Sequence, residues 1–288
     1  MLAITSEVMK WASAPLFNAT SPMSTESLPD TLKQVRKAQR LSQLELSLRL
    51  NVSQRHISFV ESGRAQPSRE LLLAWLQALE APLVVRNEAL RQAGYAPVYG
   101  TAQLDSPALA QVNEALQQLL FAHDPMPALV IDAQWNLLRL NRGGQWLAAT
   151  LMPWTAALTD TDPVNLLDLL SHPEGFTKPI VNLSEVGPVM LSLLRHEASM
   201  QPAIAPKVEA LAAVLRDRLG GQPLQPSGTR PTAPVLTTRY ATQYGELAFF
   251  SMFTTFGTPQ DITLASLRVE HLFAANEATQ AILKAHVQ

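Results

Sequence analysis

The stretch that begins at Ser42 and ends at Gly63 constrains the fold of this chain more than any other part of its sequence. Ser42 can accept a hydrogen bond from a backbone N–H, and Glu45 can return one to the Ser42 N–H, which together form a capping box. Asn51 tolerates the left-handed backbone that a tight turn requires, and Ser53 can cap a second helix. Gly63 is typical of a helix end. The stretch therefore predicts two short helices joined by a tight turn, a helix-turn-helix.

The spacing of apolar residues assigns the faces of the second helix. Ile57 and Val60 are three residues apart and form its buried pair, so the polar residues around them face outward. Arg can bond guanine, and Gln adenine, through two hydrogen bonds each, and a recognition helix presents such residues at its N-terminal end. We predict base contacts from Gln54, Arg55, His56 and Ser58, and phosphate contacts from Gln43, Arg64, Arg36 and Lys37. The alternative is that these are two ordinary helices of a bundle.

The distribution of charge supports a nucleic-acid partner for this part of the chain alone. The whole chain has a net charge of −2. Residues 28–99 contain ten Lys/Arg against six Asp/Glu, a net charge of +4, whereas residues 100–288 contain eleven against sixteen, a net charge of −5. A basic module followed by an acidic one indicates that the first faces phosphate, although charged residues also cover ordinary solvated helices.

Length and composition set the number of domains and the compartment. A chain of 288 residues is long enough for two domains, and 47% hydrophobic with 16% charged residues is typical of a globular protein. We find no apolar stretch as long as a membrane span and no secretory signal at the start. Cys is absent, which excludes disulfides, thiolate metal sites and a Cys nucleophile. We expect a soluble, cytoplasmic protein.

Three regions follow from the pattern of helix signals and turns. Residues 1–27 form an N-terminal arm, in which a short helix from Ile4 to Ala12 is predicted. Residues 28–99 form an all-α module of five helices, the last of which Pro82 opens and Gly94 ends. Residues 100–288 form an α+β domain, in which a hairpin over 128–140 precedes a block of helices and three strands near 235–241, 246–256 and 267–273.

Specific runs of residues resemble known families. The pattern of residues 41–63 is similar to the lambda-repressor-like, or XRE-type, regulators, although Asn51 stands where that family usually has Gly, and Leu44 and Leu48 stand at positions that are usually polar. Arg55–Arg64, with Ala93–Pro97 and the run Phe256-Gly-Thr-Pro-Gln-Asp-Ile-Thr-Leu264, resembles the MmyB-like regulators. The resemblance implies a DNA-binding module joined to a PAS-like domain, in which an antiparallel sheet and its helices enclose a ligand cavity.

The second half contains more large apolar residues than one sheet face requires, and the resemblance makes them candidates for a cavity wall. The expected ligand is an apolar molecule such as a long-chain fatty acid. We predict a wall of Trp135, Leu137, Trp146, Phe176, Met190, Leu194, Phe249 and Met252, and a head-group partner among Arg142, Arg195, His196 and Asn141. Two alternatives remain open: these residues fill an ordinary core, or the domain is a ligand-free platform for dimerisation and protein interaction.

The motifs of common enzymes are missing from the sequence. There is no Gly-x-Ser-x-Gly elbow, phosphate-binding glycine loop or dinucleotide fingerprint, and the six histidines lack zinc-ligand spacing. We expect no catalytic residues, no metal and no cofactor apart from a bound apolar molecule. Because one recognition helix reads only a few base pairs, we expect a homodimer on a palindromic operator, with Leu44, Leu48, Trp11 and Phe17 as candidates for burial between subunits or domains.

Overall fold

The computed structural model describes residues 27–157, 164–222, 224 and 235–287. The predicted arm, with its helix from Ile4 to Ala12, and most of the Pro- and Gly-rich loop around 220–228 lie outside these residues. The described residues divide into two compact units: those up to Leu104 cluster with Thr258–Ala265, and the others form the second unit. The sequence had instead suggested one boundary between residues 99 and 100.

The first unit contains the five predicted helices. They are α1 (Leu28–Ala38), α2 (Gln43–Leu50), α3 (Gln54–Glu61), α4 (Arg69–Ala78) and α5 (Leu83–Gln92). Their apolar faces meet in one core, whose fully buried members include Leu32, Leu46, Ile57, Leu72 and Trp75. The five-helix prediction is therefore confirmed.

Local capping explains where these helices begin. The Ser42 hydroxyl accepts from the Glu45 N–H at 3.1 Å, and the Glu45 carboxylate accepts from the Ser42 N–H at 2.7 Å, which completes the predicted capping box. Asn51 has a φ of 52° and a ψ of 42°, so the predicted left-handed turn is present. Ser53 accepts from the His56 N–H at 3.1 Å and starts α3. The helix-turn-helix is thus determined largely by short-range bonds.

The second unit combines helices with an antiparallel sheet. Its strands are β1 (Ala128–Ile131), β2 (Leu137–Leu140), β3 (Thr238–Thr242), β4 (Gly245–Thr255) and β5 (Arg268–Ala274), in the order β2-β1-β5-β4-β3. Its helices are α6 (Ala110–His123), α7 (Arg142–Leu151), α8 (Leu166–Ser171), α9 (Leu183–Met200), α10 (Ala205–Arg218) and α12 (Glu277–His286). The predicted α+β class with an antiparallel sheet is confirmed. Helix α11 (Ile262–Ser266), which was not predicted, joins β4 to β5.

The helices of the second unit build two apolar clusters. One contains Ile131 and Phe249 from the sheet and Leu283 from α12, and the other contains Leu191 from α9 and Leu211 from α10. Trp135 packs against both clusters, so the turn between β1 and β2 lies where the two meet.

Candidate DNA-binding helix and ligand-binding domain

Helix α3 has the two faces that a recognition helix requires. Ile57 and Val60 are 0% and 1% exposed, so α3 is fixed to the core of its unit by these residues. Gln54 and Arg55 are exposed at its capped N-terminal end, and His56 and Ser58 are partly exposed. The four residues predicted to contact bases therefore share the accessible part of one helix.

A neighbouring aromatic ring orients the basic residues of this surface. The guanidinium carbons of Arg55 and Arg64 lie 5.1 and 6.0 Å from the centre of the Phe59 ring. Such cation–π contacts attract each guanidinium to the ring and so restrict its rotation. Phe59 was not among the predicted site residues, although its position one helical turn after Arg55 was a usable signal.

Arg36 has an internal role that differs from the predicted phosphate contact. Its Nε lies 2.7 Å from Oε1 of Glu61 and its Nη2 lies 2.8 Å from Oε2, while its Nη1 donates to the Leu41 carbonyl at 2.6 Å. Gln43 Nε2 also donates to Glu61, at 2.9 Å. Burial alone would raise the pKa of Glu61, but the bonds from Arg36 and Gln43 outweigh it and lower this pKa.

These bonds change the proposed phosphate surface. The Arg36 side chain is only 9% exposed, and its charge is compensated by Glu61. Arg36 is therefore not available to bind phosphate, and the predicted phosphate contact is wrong for this residue. Gln43 is partly buried and shares the same carboxylate, whereas Lys37 and Arg64 are exposed. The Arg36–Glu61 pair instead joins the first helix to the last residue of α3.

The structure brings most of the residues predicted to line a cavity into two packed apolar clusters. Phe249 is buried in one apolar cluster of the second unit, where four partly buried residues of the prediction pack: Trp135, Leu137, Trp146 and Phe176. Met190 and Leu194 belong to the adjoining cluster, which Trp135 also touches. Met252 lies three residues after Phe249 on β4, so its side chain points to the opposite sheet face, where it is 57% exposed.

The predicted Arg and His head-group partners are exposed, and the two arginines are already ion-paired, whereas Asn141 is buried. Arg142 forms an ion pair with Asp124 at 2.9 Å and its side chain is 54% exposed. Arg195 forms an exposed ion pair with Glu209, also at 2.9 Å, and His196 is exposed. The two arginines are therefore paired with carboxylates at the surface of the unit, and His196 faces solvent.

Polar side chains that were not predicted lie against Trp135, one of the predicted wall residues. The guanidinium carbon of Arg268, on β5, lies 5.0 Å from the centre of the Trp135 ring and 5.8 Å from that of Phe253. Its Nη2 lies 2.7 Å from Oε1 of Glu197, which also accepts from Trp135 Nε1 at 3.2 Å. Glu270 is two residues further along β5, on the same face, and burial raises its pKa. Arg268 and Glu270 are two residues apart in a predicted strand, and this spacing could have identified them as neighbours on one sheet face.

The described residues offer neither a metal site nor a membrane-spanning helix. Where the structure describes the chain, no three His, Asp or Glu side chains are grouped so that they could hold a metal ion. None of the described helices is both long and apolar enough to cross a membrane.

A capped, exposed α3 in one unit and an α+β unit with an apolar wall define the class of a DNA-binding regulator with a ligand-binding domain. The family comparisons agree: residues 112–285 match the model described as MmyB-like transcription regulator ligand binding domain, and residues 32–85 match the helix-turn-helix model. The chain belongs to the MmyB-like transcription regulators. These are families of regulators and not of enzymes.

One curated relative is also described as a helix-turn-helix regulator. The chain is 36% identical over 69 residues to an uncharacterized HTH-type transcriptional regulator, y4dL, of Sinorhizobium fredii (strain NBRC 101917 / NGR234). The match covers 24% of this chain and 35% of that protein, so the chain spans about a third of this relative's length.

Proposed function

We propose that this protein binds a specific DNA sequence through α3 and that its second unit binds an apolar small molecule that regulates this binding. The observation that carries the proposal is the arrangement of α3: Ile57 and Val60 are buried, while Gln54 and Arg55 are exposed at the capped N-terminal end. The protein would act in the cytoplasm, where its DNA partner is.

The chemistry of α3 supports base reading as well as phosphate binding. Arg55 and Gln54 are the residue types that make bidentate bonds with guanine and adenine in the major groove. Phe59 restrains the Arg55 guanidinium, so less side-chain freedom is lost when a base is bound. Lys37 and Arg64 are exposed and provide phosphate contacts that position the helix without reading sequence.

We further propose that two copies bind a palindromic operator. One α3 contacts only a few base pairs, and a two-fold dimer reads two half-sites one helical turn apart, about 34–36 Å. Leu44 and Leu48 are 52% and 74% exposed on α2, and burial between subunits would remove this apolar surface from water.

The ligand that fits the second unit best is a long-chain fatty acid. The aromatic wall around Trp135 and Phe249 offers apolar contact, and burying an acyl chain gains roughly 0.8 kcal/mol per CH₂. The carboxylate requires a polar partner, because an unpaired charge in an apolar site is costly. Arg268 also pairs with a carboxylate, that of Glu197, but it lies over the Trp135 ring and is less exposed than Arg142 and Arg195, so it is better placed for this role.

Exposed apolar residues favour a second candidate function, a ligand-free platform for protein contact. Phe121 on α6 and Met252 on β4 are 72% and 57% exposed. Mass spectrometry of organic extracts from the purified full chain separates the two candidates. An extract that contains stoichiometric fatty acid supports the sensor, whereas an empty extract and no binding of added fatty acid support the platform.

Selection of DNA from a random-sequence pool by the full chain tests the DNA-binding part of the proposal. We expect recovery of an inverted repeat whose half-sites contain the guanine and adenine that Arg55 and Gln54 read. Recovery of no common sequence would contradict the proposed function.

A further inference from the structure

The connection between β4 and β5 belongs to a different unit from the strands that it joins. β4 ends at Thr255 and β5 begins at Arg268, and both lie in the sheet of the second unit. The residues between them, Thr258–Ala265, cluster with the helices of the DNA-binding unit. We call Thr258–Ala265 the inserted segment.

Backbone and side-chain bonds hold the inserted segment to the residues that follow α5. The Ile262 N–H donates to the Gly100 carbonyl at 2.8 Å, and the Ala102 N–H donates to Oδ2 of Asp261 at 3.1 Å. Oδ1 of Asp261 accepts from the Thr263 N–H at 2.8 Å, so one carboxylate both starts α11 and holds Ala102. The attachment therefore combines one backbone bond with the bonds of the Asp261 carboxylate.

Close approach at Gly100 makes the attachment sensitive to a change of one methyl group. A Cβ at position 100 would lie 2.8 Å from Oδ2 of Asp261, which is closer than van der Waals contact permits. Glycine at this position therefore permits the parallel pairing of residues 100 and 261.

A buried amide connects the same backbone to α5. Asn87 is 6% exposed, its Nδ2 donates to the Tyr99 carbonyl at 2.7 Å, and its Oδ1 accepts from the Val98 and Tyr99 N–H groups at 3.1 Å. Two residues later on α5, Ala89 is fully buried in the core that also contains Ile57 of α3. Hydrogen bonds and a short stretch of backbone thus connect Asp261 to α5, and α5 shares its apolar core with the recognition helix.

We propose that the inserted segment couples the ligand state of the sheet to DNA binding, with Asp261 and Gly100 as its positioning residues. The inference rests on the proposed function. The segment is continuous in sequence with β4 and β5, so a ligand that alters these paired strands alters the two ends from which the segment is held. Asp261 passes that change to residues 98–102, and Asn87 passes it to α5. Coupling between two sites is reciprocal, so DNA binding must also change the strands.

Two variants interrupt the coupling without touching either proposed binding surface. Asp261→Ala removes the carboxylate, and Gly100→Ala pushes against it. Gly257→Ala is the matched control, because a Cβ at position 257 would meet nothing within 4 Å. Since the clash in Gly100→Ala is with the Asp261 carboxylate, the double variant should be no less stable in urea than Asp261→Ala alone. A further loss of stability in the double variant would contradict this geometry.

Hydrogen exchange of the full chain, with and without a DNA site that the chain itself selects, tests the coupling. In the natural sequence and in Gly257→Ala, DNA should slow exchange in the paired ends of β4 and β5 by about fivefold or more, the lower end of common coupling between sites. In Asp261→Ala and Gly100→Ala this slowing should disappear, while DNA still protects α3. A chain that selects no DNA sequence refutes the proposed function. A chain that selects one but shows no slowing in the strands, or equal slowing in the two variants, refutes the coupling alone.

Discussion

Removal of the Arg36 side chain should destabilise the DNA-binding unit far more than removal of its exposed neighbour. Arg36 donates two charge-assisted hydrogen bonds to the Glu61 carboxylate, at 2.7 and 2.8 Å, and the two side chains are 9% and 2% exposed. Breaking a buried pair by removing one partner costs roughly 3–5 kcal/mol, because the other charge remains buried without compensation. Arg36→Ala should therefore lose about that much, whereas Lys37→Ala should change the free energy of unfolding by no more than about 0.5 kcal/mol.

The salt dependence of DNA binding should show the reverse pattern. It should change when Lys37 is removed, because Lys37 is proposed to contact phosphate, and stay the same when Arg36 is removed. Each neutralised phosphate contributes about 0.9 to the slope of log K against log salt. Lys37→Ala should reduce the magnitude of the slope by about 0.9, the value of one phosphate contact. Arg36→Ala, measured at a temperature at which this variant is still folded, should leave the slope unchanged. Urea denaturation read by hydrogen exchange of α1–α3 amides gives the free energy, and a salt titration of DNA affinity gives the slope.

A double replacement keeps the test informative if Arg36→Ala does not fold. Replacing both partners with apolar residues of similar volume, as in Arg36→Met with Glu61→Leu, should recover most of the lost stability, because no buried charge remains unpaired. If Arg36→Ala loses less than about 1 kcal/mol and also reduces the salt slope, Arg36 is a phosphate ligand and the structural role is wrong.

Three further predictions concern acid stability, the ligand and assembly. The pKa of Glu61 is lower in the folded chain than in the unfolded one. The stabilisation from the Glu61 carboxylate is therefore fully present above the unfolded pKa of about 4.3 and is lost as the pH falls through the folded pKa. Glu61→Gln should flatten the acid limb of a stability–pH curve, and an unchanged limb would contradict this role of Glu61. In calorimetry, the affinity for fatty acids should rise with the length of the acyl chain. It should fall in Phe249→Ala but not in the control Met252→Ala, whose side chain lies on the other sheet face. Equal affinities in the two variants would show that Phe249 only fills a core. Sedimentation should show a homodimer, and a concentration-independent monomer with or without DNA would contradict the assembly.

The helix-turn-helix was predictable because its determinants are local. Ser42, Glu45, Asn51 and Ser53 act within four residues of their own positions, and each made the bond or adopted the backbone expected of it. The strands were predictable as short apolar runs bounded by turns, whereas their antiparallel arrangement in one sheet was implied only by the resemblance to the MmyB-like regulators.

The errors in the site arose where a residue's partner is distant in sequence. Arg36 was assigned to the solvent side of α1, although it lies four residues after the buried Leu32 and its partner Glu61 is twenty-five residues away. Met252 was grouped with Phe249, although an odd separation on a strand places them on opposite faces. The inserted segment could not be predicted, because no local pattern indicates that Asp261 pairs with Gly100.

Competition binding with a selected DNA site tests the central claim, that α3 reads base sequence. Arg55→Ala should lose about 1–3 kcal/mol of discrimination at one base pair, because its two bonds to guanine are made with that base alone. Lys37→Ala, as the matched control, should weaken binding to all sequences alike. If Arg55→Ala and Gln54→Ala both retain the affinity and the base preferences of the natural sequence, α3 is not the recognition helix.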